Sequence, residues 1–174
     1  DILDKGGNAF DAAIAVQFAL AVTYPRAGNI AGGGFLVYYS PGNKSGVLDF
    51  REVAPYSGFP DFYKFESGVY NYQASMEGAL SVAVPGTVDG MWQLHKKKGS
   101  LSWSALIQPA IDLAKNGVVL TAMEASHMNQ YSKWIDSISN FFTPYGLHQW
   151  KPNDLFIQPE LATTLETIRD HGRA

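Results

Sequence analysis

Between residues 9 and 22 the chain reads Ala-Phe-Asp-Ala-Ala-Ile-Ala-Val-Gln-Phe-Ala-Leu-Ala-Val, and a helix built from these residues has almost no polar face to offer to water. Asn8 is suited to cap its N-terminus, and Asp11, three positions on, puts a carboxylate in the first turn, where the helix dipole favours negative charge. Ala, Ile, Val, Phe and Leu then occupy nearly every side. That distribution belongs to a helix buried all round, not to an amphipathic surface helix. The apolar stretch 12–24, interrupted by Gln17, is too short for a bilayer, which takes about 20 residues. The helix must therefore be covered on several faces by the rest of the protein.

The composition supplies material for that cover. The chain has 174 residues, 46% hydrophobic and 13% aromatic, enough for one domain that buries roughly 70% of its unfolded surface. Thirteen Lys and Arg against sixteen Asp and Glu give a net charge of −3, without the basic stripe that binds phosphate backbones, so nucleic acid is excluded as a partner. Cysteine is absent, which rules out disulfides and thiolate metal sites and leaves the redox compartment open. The first residues read as the end of a helix closing at Gly6-Gly7, and the last, His171-Gly172-Arg173-Ala174, follow another helix end. Residues 1–174 are expected to be a single partial domain, a piece of a longer protein.

Pro25 and Gly28-Asn29 punctuate the chain before Gly32-Gly33-Gly34. Residues 35–39 and 45–50 read as two strands around a Pro41-Gly42-Asn43 turn, a hairpin with a loop of about four or five residues. The turn contains an N-glycosylation acceptor sequence, Asn43-Lys44-Ser45. Residues 54–73 are rich in Pro, Gly and aromatics and read as a structured loop, and 81–84 as a strand. Helices are predicted over about 87–97, 102–116 with Pro109 inside, 121–135 and 159–170, with an aromatic loop around 141–150. The whole is α+β and helix-rich after residue 86.

Asp49-Phe50-Arg51-Glu52 stands at the end of the second predicted strand. A guanidinium presents its donors as a rigid fork matched to a carboxylate, so Arg51 is the candidate anchor for an acidic substrate. It can equally serve to satisfy Asp49 and Glu52 at little net energy. The glycine run has two readings as well: it lets the apolar helix pack against the hairpin, or it lets a ligand approach the main chain. A phosphate loop is excluded, because the order is not G-x-G-x-x-G, no Gly-Lys-Ser/Thr occurs, and the run precedes a strand. His95, His127, His148 and His171 lack the spacing of metal pairs, no G-x-S-x-G elbow exists, and Lys96-Lys97-Lys98 is a solvated helix end. Neither metal nor cofactor is called for. No catalytic constellation is complete.

Taken in order, Gly6-Gly7-Asn8-Ala9-Phe10-Asp11-Ala12-Ala13, residues 25–35, Asp49-Phe50-Arg51-Glu52-Val53-Ala54-Pro55, Val84-Pro85-Gly86-Thr87-Val88 and Gln108-Pro109-Ala110 with Leu113-Ala114 and Asn116-Gly117 closely resemble the γ-glutamyltranspeptidase family. The match is thinner over 118–174, and Ala31 stands where the family commonly has a fourth glycine. The resemblance implies an N-terminal-nucleophile hydrolase with a four-layer αββα sandwich, made as a precursor that cleaves itself into large and small subunits. In that family a threonine at the start of the small subunit attacks the γ-glutamyl group, and water or an acceptor amine resolves the acyl-enzyme.

By that likeness Arg51 binds the substrate α-carboxylate, Asp49 and Glu52 hold the arginine, and no catalytic residue lies in this segment, Thr87, Thr121, Thr163 and Thr164 included. The implied partners are the small subunit of the same precursor and a γ-glutamyl small molecule or peptide, glutathione above all. The segment alone is expected to be inert, and the whole enzyme to be periplasmic, secreted or on the extracellular side of a membrane. Cephalosporin acylases and poly-γ-glutamate depolymerases share the fold and rank second, and a non-catalytic scaffold remains a further alternative.

Overall fold

The predicted N-cap closes as its residues dictate. In the computed structural model, which describes residues 1–42, 44–138 and 148–173, helix α1 spans Ala9–Thr23. Asn8 Oδ1 accepts the N–H groups of Phe10 at 2.8 Å and Asp11 at 3.0 Å, while the Asp11 carboxylate accepts the Asn8 N–H at 2.9 Å. This is a closed capping box. Asp11 is fully buried and also accepts the Ser100 N–H, at 3.0 and 3.2 Å, and the Asn8 amide donates to Lys98 O and Ser100 Oγ, each at 2.7 Å. Ahead of the cap, residues 2–6 form turns in place of the predicted helix end, because their bonds reach back by three, four and five residues and so never repeat helically.

The described chain forms two compact units, Asp1–Asn29 with Trp92–Ala174, and Ile30–Met91. In the first unit α1 packs on α4, Trp103–Asn116, which also packs on α6, Pro159–His171. The buried stripe of α4 is Trp103, Leu106, Ile107, Ala110, Ile111 and Ala114, the spacing of one helix face. On its side α1 buries Ile14, Ala15, Phe18, Ala21 and Val22, and Phe18 meets Trp103 edge-to-face at 5.6 Å. Full burial of the larger of these, Ile14, Phe18, Val22, Leu106, Ile107 and Ile111, contributes about 1.5–3 kcal/mol each. Ser102 caps α4, and the helix continues through Pro109. The expected all-round cover of α1 is absent among the described residues: Ala9, Ala13, Val16 and Leu20 form an exposed stripe, Val16 at 55%.

Helix α3 spans Thr87–Lys98. Beyond α4, two short strands pair antiparallel, β3 at Val118–Val119 and β4 at Leu155–Phe156. Between them lies α5, Ala122–Ile138, whose start is fixed by reciprocal bonds between Thr121 and Glu124. Leu120, Ala125 and Phe156 make a small core with Met128 and Trp150, and buried Gln158 donates to Val22 O at 2.9 Å. Most of the predicted aromatic loop lies outside the described residues, as does Asn43 of the acceptor sequence. No helix among the described residues is long and apolar enough to cross a membrane.

In the second unit strands β1, Phe35–Ser40, and β2, Lys44–Asp49, form the predicted hairpin, with Val37 opposite Val47 and Phe35 opposite Asp49. Its face made of Phe35, Val37, Tyr39 and Val47 is exposed. The strand predicted at 81–84 is corrected to a 3-10 turn, Ala79–Ser81, followed by a single bridge from Val84 to Val53. Pro55 lacks the N–H that the next bonded pair needs on one side, and on the other the Gly86 N–H is taken by Gly32 O at 2.8 Å. Inside the aromatic stretch a short helix, α2 at Tyr72–Met76, is capped by Asn71, and Tyr63 donates its hydroxyl to Leu80 O at 2.7 Å.

A candidate carboxylate-binding site

Arg51 is placed by the end of the hairpin. Phe50 extends the pairing one residue past β2, donating to Gly34 O at 2.8 Å and accepting from Gly34 N at 3.3 Å. Three residues later Val53 is held by Val84 through bonds of 3.2 and 2.9 Å. Between these two fixed points the Asp49 side chain accepts the backbone N–H two residues on, the i to i+2 bond of an Asx turn. Asp49 and Arg51 therefore face each other. Asp49 Oδ1 accepts both the Arg51 backbone N–H and its Nε–H at 3.1 Å, and Oδ2 accepts Nη2–H at 2.8 Å.

This two-point contact has electrostatic consequences. The Arg51 side-chain bond, with help from the Arg51 backbone N–H, holds the Asp49 carboxyl down to about 2, and the same bond raises the arginine above its ordinary range. The side chains are 65% and 55% exposed, so the pair orients more than it stabilises. Asp49 occupies the Nε–Nη2 side of the fork. Among the described residues no hydrogen bond is made at Nη1, so the Nη1–Nη2 edge can take another planar anion, which a guanidinium binds with two parallel bonds.

The expected support from Asp49 is thus a direct contact, whereas Glu52 makes no hydrogen bond to Arg51 among the described residues and acts on it only as the smallest of the charge effects. In the sequence the two acids read alike, and the two-residue spacing of Asp49 is the signal that separates them. No sequence signal marks Arg26, whose Nη1 lies 3.0 and 3.1 Å from the two ring nitrogens of His127 at an apolar cavity of about 770 Å³ in the first unit, lined by Val22, Leu120 and Phe156 among others. Among the described residues no group of three or more His, Asp or Glu is placed to hold a metal ion.

Comparison with known proteins gives this geometry a context. The family model described as γ-glutamyltranspeptidase matches residues 1–174. The chain is 43% identical over 171 residues to the glutathione hydrolase proenzyme of Pseudomonas aeruginosa, covering 98% of this chain and 30% of that protein. Among solved structures, the γ-glutamyltranspeptidase of Pseudomonas nitroreducens complexed with L-DON superposes with a TM-score of 0.88 at 44% identity, and that of Helicobacter pylori with 0.90 at 39%. Each superposition covers 98% of this chain and 50% of the other. The chain thus spans about a third of the curated relative and half of each solved chain. With the family model matched from first residue to last, this chain belongs to the γ-glutamyltranspeptidase family.

Proposed function

We propose that the protein containing this chain hydrolyses or transfers γ-glutamyl groups, glutathione being the representative donor, and that Arg51 binds the donor's α-carboxylate. The observation that carries this reading is the fork of Arg51, fixed on one edge by Asp49 and, among the described residues, open on the other, within a chain of this family. A carboxylate gripped by two parallel bonds cannot rotate, so the far end of the glutamyl group, its γ-carbonyl, is presented in one direction. Asp49 keeps the fork from swinging, and Glu52 adds a further negative charge near it.

The nucleophile in this reading is a threonine at the head of a small subunit cut from the same precursor. Its hydroxyl oxygen attacks the γ-carbonyl, its own amine takes the proton, and that proton leaves with the departing amine, giving a γ-glutamyl ester; water or an acceptor amine then cleaves the ester and restores the hydroxyl. This segment supplies binding and orientation, and alone it is inactive. The exposed apolar face Phe35, Val37, Tyr39 and Val47 supports a covering layer contributed by the rest of the precursor, as a four-layer αββα sandwich requires. By family likeness the enzyme works in the periplasm, outside the cell or on the outer side of a membrane.

The test compares Arg51→Ala and Arg51→Lys in the full-length precursor, using a γ-glutamyl anilide and the same anilide with its α-carboxylate converted to an amide. Self-cleavage should persist. Preference for the acid over the amide should fall about 100-fold, the order expected for loss of a positioning contact. Unchanged preference in both variants overturns the role of Arg51. Turnover of a β-lactam side-chain amide or of poly-γ-glutamate in preference to glutathione overturns the substrate assignment.

A further inference from the structure

The main chain that carries Arg51 is enclosed by glycines from separate stretches of sequence. A β-carbon added to Gly33 would stand 2.6 Å from the Phe50 carbonyl oxygen, 2.7 Å from the Glu52 nitrogen and 2.8 Å from the Arg51 Cα. One added to Gly86 would crowd the same Phe50 oxygen still more closely and lie 3.0 Å from the Arg51 carbonyl oxygen. One added to Gly90 would overlap Cβ and Cγ of Phe50. Non-bonded carbons sit comfortably at about 3.5–4.0 Å, so each of these methyls would displace residues 50–52 or the segment facing them. Gly34 is a milder case, its added carbon meeting only the Phe50 ring at 3.2 and 3.3 Å.

None of these four glycines has a positive φ, so what the positions require is space and not a left-handed backbone. The segments are also bonded to one another. Gly32 O accepts the N–H groups of Gly86 at 2.8 Å and Thr87 at 3.0 Å, Gly34 pairs with Phe50, and Val84 pairs with Val53. Residues 32–34 and 84–90 therefore close on residues 50–53 from two directions. We infer that Gly33, Gly86 and Gly90 are positioning residues for Arg51, the missing side chains of Gly33 and Gly86 allowing two segments to clamp its main chain, that of Gly90 making room for the adjoining Phe50 side chain, and the three so fixing where the guanidinium meets a γ-glutamyl carboxylate. This rests on the reading of Arg51 given above. The head of the side chain is tied to Asp49 and its root to this clamp, so a shift of the root either breaks the Asp49 contact or carries the fork away from the substrate.

The experiment uses the full-length precursor with Gly33→Ala, Gly86→Ala and Gly34→Ala, each alone and combined with Arg51→Ala, and the same acid and amide anilides. A displacement of about 1 Å costs on the order of 100-fold, so Gly33→Ala and Gly86→Ala should lower the acid-over-amide ratio by about that factor, mainly through KM for the acid. Adding Arg51→Ala should then lower the ratio no further, because both changes remove the same contact. Gly34→Ala should produce a smaller fall in the same ratio. A purely structural role would reduce turnover of both anilides equally, and that result overturns the inference. If Arg51→Ala collapses the ratio while Gly33→Ala and Gly86→Ala leave it intact, the clamp is wrong and the arginine reading stands; if Arg51→Ala itself leaves the ratio intact, both fall. Should Gly33→Ala and Gly86→Ala precursors fail to self-cleave, Gly34→Ala decides by the same ratio, and an unchanged ratio there overturns the inference.

Discussion

Replacing Asp11 with Ala should loosen the start of α1 without unwinding the helix. The carboxylate is fully buried and accepts the Asn8 N–H at 2.9 Å and the Ser100 N–H at 3.0 and 3.2 Å. A hydrogen bond to a charged group contributes about 1.5–3 kcal/mol, and two stranded donors put the loss at about 3–6 kcal/mol. Asn8 Oδ1 still caps the N–H groups of Phe10 and residue 11, so the loss concentrates on opening of the cap and of the turn at residues 98–100. Asp11→Asn keeps the shape and one acceptor oxygen but turns an N–H toward a donor, and should fall between wild type and Asp11→Ala. Amide hydrogen exchange read by mass spectrometry on the full-length enzyme reports such local opening directly. Because each 1.4 kcal/mol is a factor of ten, the most protected amides in peptides covering residues 8–23 and 96–102 should exchange at least about 100-fold faster in Asp11→Ala, while those of residues 35–49 keep the wild-type rate. Unchanged protection in both peptides would refute the assignment of Asp11 as the acceptor that joins them.

Two further outcomes follow from other parts of the structure. Ile111 is completely buried on α4, and Ile111→Ala should cost about 2–5 kcal/mol through lost burial and the cavity left behind, seen as a lower urea midpoint; an unchanged midpoint would mean that the site collapses freely. Asp49, held at about 2 in place of its ordinary 3.8 by Arg51, adds stability that is fully present above its ordinary value and is lost as pH falls from about 4 through about 2. Carboxyl carbon NMR of labelled enzyme should find its midpoint near 2, returning toward 3.8 in Arg51→Ala, and equal midpoints would show that the pair does not form.

Much of this was legible in the chain because the deciding signals are local. Asn8 and Asp11 announce the capping box, Ser102 and Thr121 announce the next caps, and alternation around Pro41-Gly42 sets the hairpin. The errors fall where pairing is decided at a distance. β3 and β4 are two residues each and exist only because residues 118–119 and 155–156 are brought side by side; nothing in either dipeptide marks it as a strand. The stretch 81–84 has strand composition, yet Pro55 on one side and the Gly86 N–H given to Gly32 on the other leave it one bridge. The site divides in the same way. Arg51 stands out at a strand end between two acids, and the i to i+2 spacing of Asp49 separates it from Glu52. The convergence of Gly33 and Gly86 on one main chain, with Gly90 against the Phe50 side chain, is a tertiary fact: the glycine run and Pro85-Gly86-Thr87 are each visible, and only the fold brings them together on Phe50 and Arg51.

The most direct test is a crystal structure of the mature full-length enzyme with glutamate bound. The account predicts two Arg51 nitrogens at about 2.7–2.9 Å from the α-carboxylate oxygens, with Asp49 still on the Nε side of the fork. An Arg51 side chain lying in bulk solvent while another cation holds that carboxylate would contradict it.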